Sequence, residues 1–227
     1  MDRELLKLTR IEGVTFDAGG TLIEPWPSVG AVYAEVARDF GITCHADRLT
    51  AQFKDAWTLQ TAFRYTRQEW AAIVRHSFAG VADVSDRLFD AIYERFSEPR
   101  SWLIYDDVIP TLQKLEELGV KLAVVSNWDE RLEPLLEELG LATYFDVIVV
   151  SSLVGAHKPD ERIFRRAAAE LALSPENILH VGDNWREDVE GSRGAGGKAM
   201  RIRRSGVEKE GDVNSLIKLV GEFGKVV

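Results

Sequence analysis

The chain has 227 residues and a net charge of −9. That length gives room for a large core and a small insert, and the charge speaks against nucleic-acid or anionic-lipid partners. Apolar residues make up 45%, as in ordinary globular proteins, which excludes a disordered chain. No apolar run reaches the ~18–20 residues of a membrane span.

Met1 to Arg10 alternates charge with leucine and lacks the pattern of a signal peptide. Ile11 to Phe16 then predicts a strand that ends at Asp17 and runs into Gly19-Gly20. Pro25-Trp26-Pro27 is a poor helix interior and reads as a linker. Apolar residues at helical spacing follow in four sets: Val29 to Phe40, Leu49 to Trp57, Trp70 to Phe78 and Leu88 to Phe96. They predict a small helical bundle with Trp57 and Trp70 in its core. From about residue 103 strands and helices alternate. Asp106 or Asp107 caps a helix with Pro110 in its first turn, and Val120 to Val125 is a buried strand. A helix with Leu132 to Leu139 has Pro134 at its first position. Strands at Val147 to Val150, Ile178 to Val181 and Met200 to Ile202 complete the set, the last of these being the final strand. The charged stretch Arg203 to Asp212 reads as a surface loop, and Leu216 to Val220 sits in the last helix. Cys44 is the single cysteine, which excludes an internal disulfide and makes a reducing cytoplasm the expected compartment.

Alternating strands and helices predict right-handed crossovers and a parallel sheet covered on both faces. The fold class is therefore α/β, a Rossmann-like core of residues 1–24 and 103–227 with an inserted four-helix domain at 25–102. In such a sheet ligands bind beyond the carboxyl ends of the strands. The polar residues there are Asp17, Ser126-Asn127, His157-Lys158-Pro159, and Asp183 with Asp188 five residues on. Three carboxylates, a hydroxyl, an amide and a lysine share one rim.

The segments Phe16-Asp17-Ala18-Gly19-Gly20-Thr21-Leu22, Val125-Ser126-Asn127, Lys158-Pro159-Asp160 and Val181-Gly182-Asp183 with Asp188 resemble, in order, the four motifs of the haloacid dehalogenase-like hydrolase superfamily. The resemblance spans essentially the whole chain, and the helical insert stands where that superfamily's helical-cap subclass carries its cap. It implies a magnesium-dependent phosphohydrolase acting on a small phosphorylated metabolite. Asp17 would be the nucleophile that forms an aspartyl-phosphate. Asp17, the Gly19 carbonyl and Asp183 would hold Mg²⁺. Ser126 and Asn127 would bind phosphoryl oxygens, Lys158 would neutralise charge, and Asp188 would orient a metal-bound water or Lys158. Charge supports the ion: Asp17, Asp183 and Asp188 would otherwise crowd one lysine. Asp160 reads as a helix cap, and His45, His76, His157 and His180 as structural. Trp128 and Trp185 either wall the pocket or simply pack.

One position departs from the family's phosphatases. Gly19 stands where they usually carry a second Asp, which protonates the leaving oxygen. General acid–base help is worth ~10²–10⁴-fold. Turnover is then weak or confined to leaving groups that need no proton, such as acyl or aryl phosphates, unless the cap or water supplies the acid. Three alternatives stay open. A 2-haloacid dehalogenase needs no acid, but those enzymes carry Tyr at that place and lack the Gly-Asp kept here as Gly182-Asp183. Such an enzyme would also need a cationic partner such as Arg64 or Arg67 for its substrate. A phosphonate-cleaving enzyme would need a cap lysine, and Lys54 is the single one there. A non-catalytic phosphometabolite- or protein-binding module would keep the ligand set without the chemistry. The sequence fixes neither the physiological substrate nor the oligomeric state.

Overall fold

The computed structural model describes residues 11–61, 63–205 and 212–223. The Met1–Arg10 stretch and positions 206–211 of the charged segment lie outside them. The chain divides into two compact units, Met1–Glu24 with Ile104–Val227, and Pro25–Leu103.

The first unit holds β1 (Gly13–Phe16) and most of β2 (Ile23–Pro25). The second holds α1 (Val29–Asp39), α2 (Ala46–Thr58), α3 (Arg67–Ser77) and α4 (Asp86–Arg95), and most of β3 (Trp102–Ile104). The first unit resumes with α5 (Val108–Glu117), β4 (Lys121–Ser126), α6 (Leu132–Glu138), β5 (Val147–Val150), α7 (Ser151–Val154), α8 (Glu161–Glu170) and β6 (Ile178–Gly182). It ends with a π-helical turn (Trp185–Glu190), α9 (Gly191–Gly194), β7 (Lys198–Ile202), β8 (Asp212–Val213) and α10 (Ile217–Phe223).

The main sheet has the order β5-β4-β1-β6-β7-β8, and every pairing in it is parallel. Its central strands read as continuous apolar runs because both faces are covered. Val14, Phe16, Ala123, Val124, Val125 and Val181 have no exposed surface. Each such side chain contributes about 1.5–3 kcal/mol by leaving water. β1 lies between β4 and β6, so the chain steps to one side of it and then to the other. That reversal is the switch point beyond which open parallel sheets bind ligands, and Asp17 follows it directly.

Three short strands escape the sequence reading. β2 runs into the predicted linker at Pro25, β3 follows the last helix of the helical stretch, and β8 adds an edge beyond the strand expected to be last. Two or three residues are too few to show a period of two. Pro134 sits third in α6, not first. It is still in the first turn, where the missing N–H has no partner to lose.

The helical unit closes on its own core of Tyr33, Val36, Leu49, Val74, Phe78, Leu88, Phe89 and Ile92. Trp70 packs against this core and is half-buried, while Trp57 lies outside it. Trp57 remains 37% exposed and stacks on Trp70 with ring centroids 5.7 Å apart. Phe53, Phe63 and Tyr65 close around this pair. Helical spacing puts the two indoles on the inward face, but their size leaves them at its margin.

Asp107 precedes α5 but makes no side-chain cap. Its carboxylate instead takes both bonds of Arg204 Nη1 at 2.7 Å, the Ser215 hydroxyl at 2.7 Å and the Leu216 amide at 2.8 Å. Arg204 also donates from Nε and Nη2 to the Thr21 carbonyl and lies over the Tyr105 ring at 4.0 Å. The charged segment expected to be a surface loop is therefore an anchor at its start. Burial raises the Asp107 carboxyl, but Arg204, Ser215 and Leu216 outweigh it, and the net shift is downward. A lowered acid contributes stability that is present above its unfolded value near 3.8 and lost as the pH falls through the folded one. Asp107→Asn should therefore cost about 1–3 kcal/mol at pH 7, and the gap between the two melting temperatures should narrow below about pH 4. A constant gap down to pH 2.5, followed by thermal unfolding, would show that the carboxylate's charge is not what holds the anchor.

Candidate active site

β1 delivers Asp17, β4 delivers Ser126 and Asn127, the loop before α8 delivers Lys158, and β6 with the turn after it delivers Asp183 and Asp188. The register explains the convergence. Phe16 pairs with Val124 on one side and with Val181 on the other, so the three strands end within two residues of one another and Asp17, Ser126 and Asp183 come out on the same rim.

Lys158 Nζ donates to Asp17 Oδ1 at 2.7 Å and to Asp188 Oδ1 at 2.6 Å. The Ser126 hydroxyl donates to the same Asp17 oxygen at 2.8 Å. Asp17 Oδ2 accepts no hydrogen bond among the described residues. Asp188 has both oxygens engaged. Oδ1 takes Lys158 and His180 Nε2 at 3.1 Å, and Oδ2 takes the Asn184 amide at 2.8 Å. Behind it, His180 Nδ1 faces the Thr15 hydroxyl at 2.8 Å, across a directly paired position of β1 and β6. Burial lowers the His180 pKa despite Asp188, so the ring is neutral. With Nε2 against a carboxylate the proton sits there, and Nδ1 accepts from Thr15.

The charges follow from this geometry. Burial raises the Asp17 carboxyl, and Lys158 does not fully offset it. Burial also disfavours charge on Asp188 and Lys158, but their mutual contact wins, and Asp188 is lowered while Lys158 is raised. Asp183, exposed as a residue, has its carboxyl raised to about 7, by desolvation first and by Asp17 and Asp188 next.

Glu187 is a fourth acid that the sequence reading missed. Its carboxylate accepts from Asn127 Nδ2 at 3.1 Å, and burial raises its pKa. The remaining contacts of Asn127 clasp Lys158: Nδ2 donates to the Lys158 carbonyl at 3.0 Å, and Oδ1 accepts the Lys158 amide at 2.7 Å. The side chain expected to bind phosphoryl oxygens is thus committed to holding Lys158. Glu187 stands four residues after Asp183, and that helical spacing was the available signal. Asp160 caps α8 by accepting the Arg162 amide.

Two glycines are needed for this packing. Gly20 has φ +74°, and a Cβ there would lie 2.8 Å from an Asp183 carboxylate oxygen. At Gly182 a Cβ would meet the Asp188 carboxyl carbon at 2.1 Å. Gly19 differs. Its φ is not in the left-handed region, and an added Cβ would meet only the Trp128 ring, at 3.2 Å.

A divalent cation fits this donor set. Asp17, Asp183 and Asp188 can each offer an oxygen within 4.8 Å of the others'. Both Asp188 oxygens already accept hydrogen bonds, so the more open donors are Asp17 and Asp183, hard oxygens of the kind that bind Mg²⁺.

Comparison with known proteins agrees with the fold. A mouse protein described as haloacid dehalogenase-like hydrolase domain-containing protein 3 is 37% identical over 196 residues, 81% of this chain and 78% of its own. A glyceraldehyde 3-phosphate phosphatase of Methanopyrus kandleri is 42% identical over 101 residues, 44% of this chain and 43% of its own. The solved structure of a phosphatase of the same superfamily from Thermococcus onnurineus superposes with a TM-score of 0.68 at 27% identity, over 94% of this chain and 98% of that one. The family profile itself covers residues 11–196, from the strand before Asp17 to beyond Asp188, and the chain belongs to the haloacid dehalogenase-like hydrolases.

Proposed function

We propose that the chain hydrolyses a small phosphorylated metabolite through an aspartyl-phosphate at Asp17. The observation that carries this reading is a buried carboxylate with one oxygen held by Lys158 and Ser126 and the other accepting no hydrogen bond among the described residues. A carboxylate fixed in this way is an oriented nucleophile.

In the first step an Asp17 oxygen attacks phosphorus, and the bond from phosphorus to the leaving oxygen breaks. Lys158 keeps its charge throughout, because Asp17 and Asp188 hold it protonated, and it offsets charge on the phosphoryl oxygens. Ser126 can turn its hydroxyl from Asp17 to the phosphoryl group as the attacking oxygen becomes bonded. Asn127 acts by fixing Lys158, and Asp188 by fixing the ammonium from the other side. In the second step water attacks the aspartyl-phosphate and restores Asp17. Asp17, Asp183 and the Gly19 carbonyl would hold Mg²⁺, which when bound supplies charge neutralisation at the phosphoryl group.

The phosphatase reading is supported by the archaeal relatives. Of the two arginines named for the dehalogenase alternative, Arg67 is tied to Asp90 and Glu94. Lys54 is an exposed residue of α2, which gives a phosphonate Schiff base no buried lysine. A cytoplasmic setting fits the single Cys44, and no described helix is long and apolar enough to cross a membrane.

The test is hydrolysis of p-nitrophenyl phosphate and acetyl phosphate with Mg²⁺ and with EDTA, alongside beryllofluoride trapping. Metal-dependent turnover and a beryllofluoride adduct on Asp17 are expected. An adduct without turnover of any phosphate would make the chain a binding module. Halide release from 2-chloropropionate, with neither an adduct nor phosphate turnover, would make it a dehalogenase.

A further inference from the structure

The place of the missing acid is occupied. The backbone at Gly19 would accept an ordinary side chain, and what stands against it is the ring of Trp128, with Cζ3 at 3.2 Å and Cη2 at 3.9 Å from the Cβ position. The backbone that carries this ring is fixed. The Trp128 amide donates to the Ser151 hydroxyl at 3.0 Å, and the Trp128 carbonyl accepts from that hydroxyl at 3.0 Å and from the Ser152 amide at 3.2 Å. Ser151 is fully buried. Next to it, Asp129 is fully buried and clasped by the Arg131 guanidinium at 2.8 and 2.6 Å. Trp128 is half-buried, and its ring stands against Gly19, two residues after the proposed nucleophile.

The acids of the site are engaged elsewhere. Asp188 has no free oxygen, Glu187 faces Asn127, and Asp183 belongs to the cation set. Where a carboxyl would reach toward the leaving oxygen there is instead a flat apolar surface. Such a surface gives no proton, but it binds a flat leaving group by stacking and by shedding water.

We infer that Trp128, in the room left by Gly19, makes this hydrolase specific for phosphates whose leaving group is flat and acidic enough to depart as an anion: aryl or enol phosphates in preference to alkyl ones. The inference rests on the phosphohydrolase reading and narrows it. An Asp17 oxygen bonds to phosphorus, and the phosphorus–oxygen bond to the leaving group breaks. The electron pair stays on that oxygen, as a phenolate or enolate stacked on the indole, and no proton is required. Water then bonds to phosphorus, Asp17 leaves with its electron pair, and the water's proton goes to the phosphate product or to solvent.

The experiment measures kcat/KM with Mg²⁺ for a series of aryl phosphates of graded leaving-group acidity, for glycerol phosphate and for acetyl phosphate. The wild-type rate should fall steeply as the leaving group becomes less acidic, reaching a loss of about 10²-fold or more for glycerol phosphate. Gly19→Asp should flatten the series and raise the glycerol phosphate rate by about 10–10²-fold. Gly19→Asp combined with Trp128→Leu repeats this test without crowding at the ring. In Trp128→Leu the ratio of aryl to acetyl phosphate turnover should fall about 3–10-fold, while Trp128→Phe retains it. A flat wild-type series would overturn the inference, as would a ratio indifferent to Trp128→Leu in a variant that melts like the wild type. The parent reading fails in a different way, with no phosphate of any kind turned over and no beryllofluoride adduct on Asp17.

Discussion

Asp17→Asn should abolish turnover, by about 10⁴-fold or more, and leave the protein as stable as before or more so when metal is chelated. Asparagine has the size of aspartate, and its Oδ1 can still accept from Ser126 and Lys158, which now meet Asp17 at 2.8 and 2.7 Å. What it loses is the negative oxygen that bonds to phosphorus. The stability half follows from the sign of the shift. Burial raises the Asp17 carboxyl above its ordinary 3.8. An acid with a raised folded pKa binds its proton more tightly when folded, so its stabilising share is complete below the unfolded value and gone once the pH passes the folded one. At pH 7 its ionisation is a penalty, and the neutral amide removes it. Lys158 keeps Asp188 at 2.6 Å, so no buried charge is orphaned. Steady-state kinetics and thermal melting in EDTA check both halves. Turnover within tenfold of wild type would remove Asp17 from the role of nucleophile.

Metal removal should be almost as severe. Four carboxylates, Asp17, Asp183, Asp188 and Glu187, gather around one buried lysine. Like charges this close disfavour one another's ionisation, and a divalent cation reverses that balance. EDTA should reduce hydrolysis to background, and Mg²⁺ should restore it. At about 100 times its dissociation constant a ligand of the folded state adds about 2.7 kcal/mol. For a chain of this length that is a rise of about 5–10 °C in melting temperature. Asp183→Asn should lose both the Mg²⁺-dependent turnover and the Mg²⁺-dependent rise, yet in EDTA melt no lower than the wild type, because burial and the neighbouring acids raise the carboxyl it replaces. Calorimetry of the two proteins with and without Mg²⁺ decides. An equal rise in the variant would place the ion elsewhere, and turnover indifferent to EDTA would dispense with it.

Asp17, Ser126 and Asp183 were legible in the sequence because each is the first polar residue after an apolar run, and Asn127, Lys158 and Asp188 because they follow such strand ends within a few residues. The parallel sheet was legible for the same reason. Contacts that depend on register were not. Thr15 meets His180 only because β1 and β6 pair at those positions. Arg204 meets Asp107 and Thr21 across long stretches of chain, and nothing in a charged run tells an anchor from a loop. Asn127 reads as a donor for substrate, yet its amide is fully engaged by Lys158 and Glu187. Trp57 and Trp70 fit the inward helical spacing, but spacing reports direction and not depth, and the helical unit is too small to cover both rings.

The central place of β1 has a consequence for the order in which the molecule is made. The strand that carries Asp17 emerges first, but its neighbours in the sheet, β4 and β6, are made far later. The partners of Asp17 lie 109 and 141 residues downstream, and Thr15 waits 165 residues for His180. At ~5–20 residues per second the ribosome needs about 8–33 s to cover that last interval. The helical unit's core draws only on Tyr33 to Tyr93 and is complete on the nascent chain long before. Until β4 emerges β1 has no parallel partner, and its second one, β6, comes later still. Synthesis therefore yields a folded helical unit tethered to an unpaired strand, and the hydrolytic centre is completed only as the final third of the chain arrives.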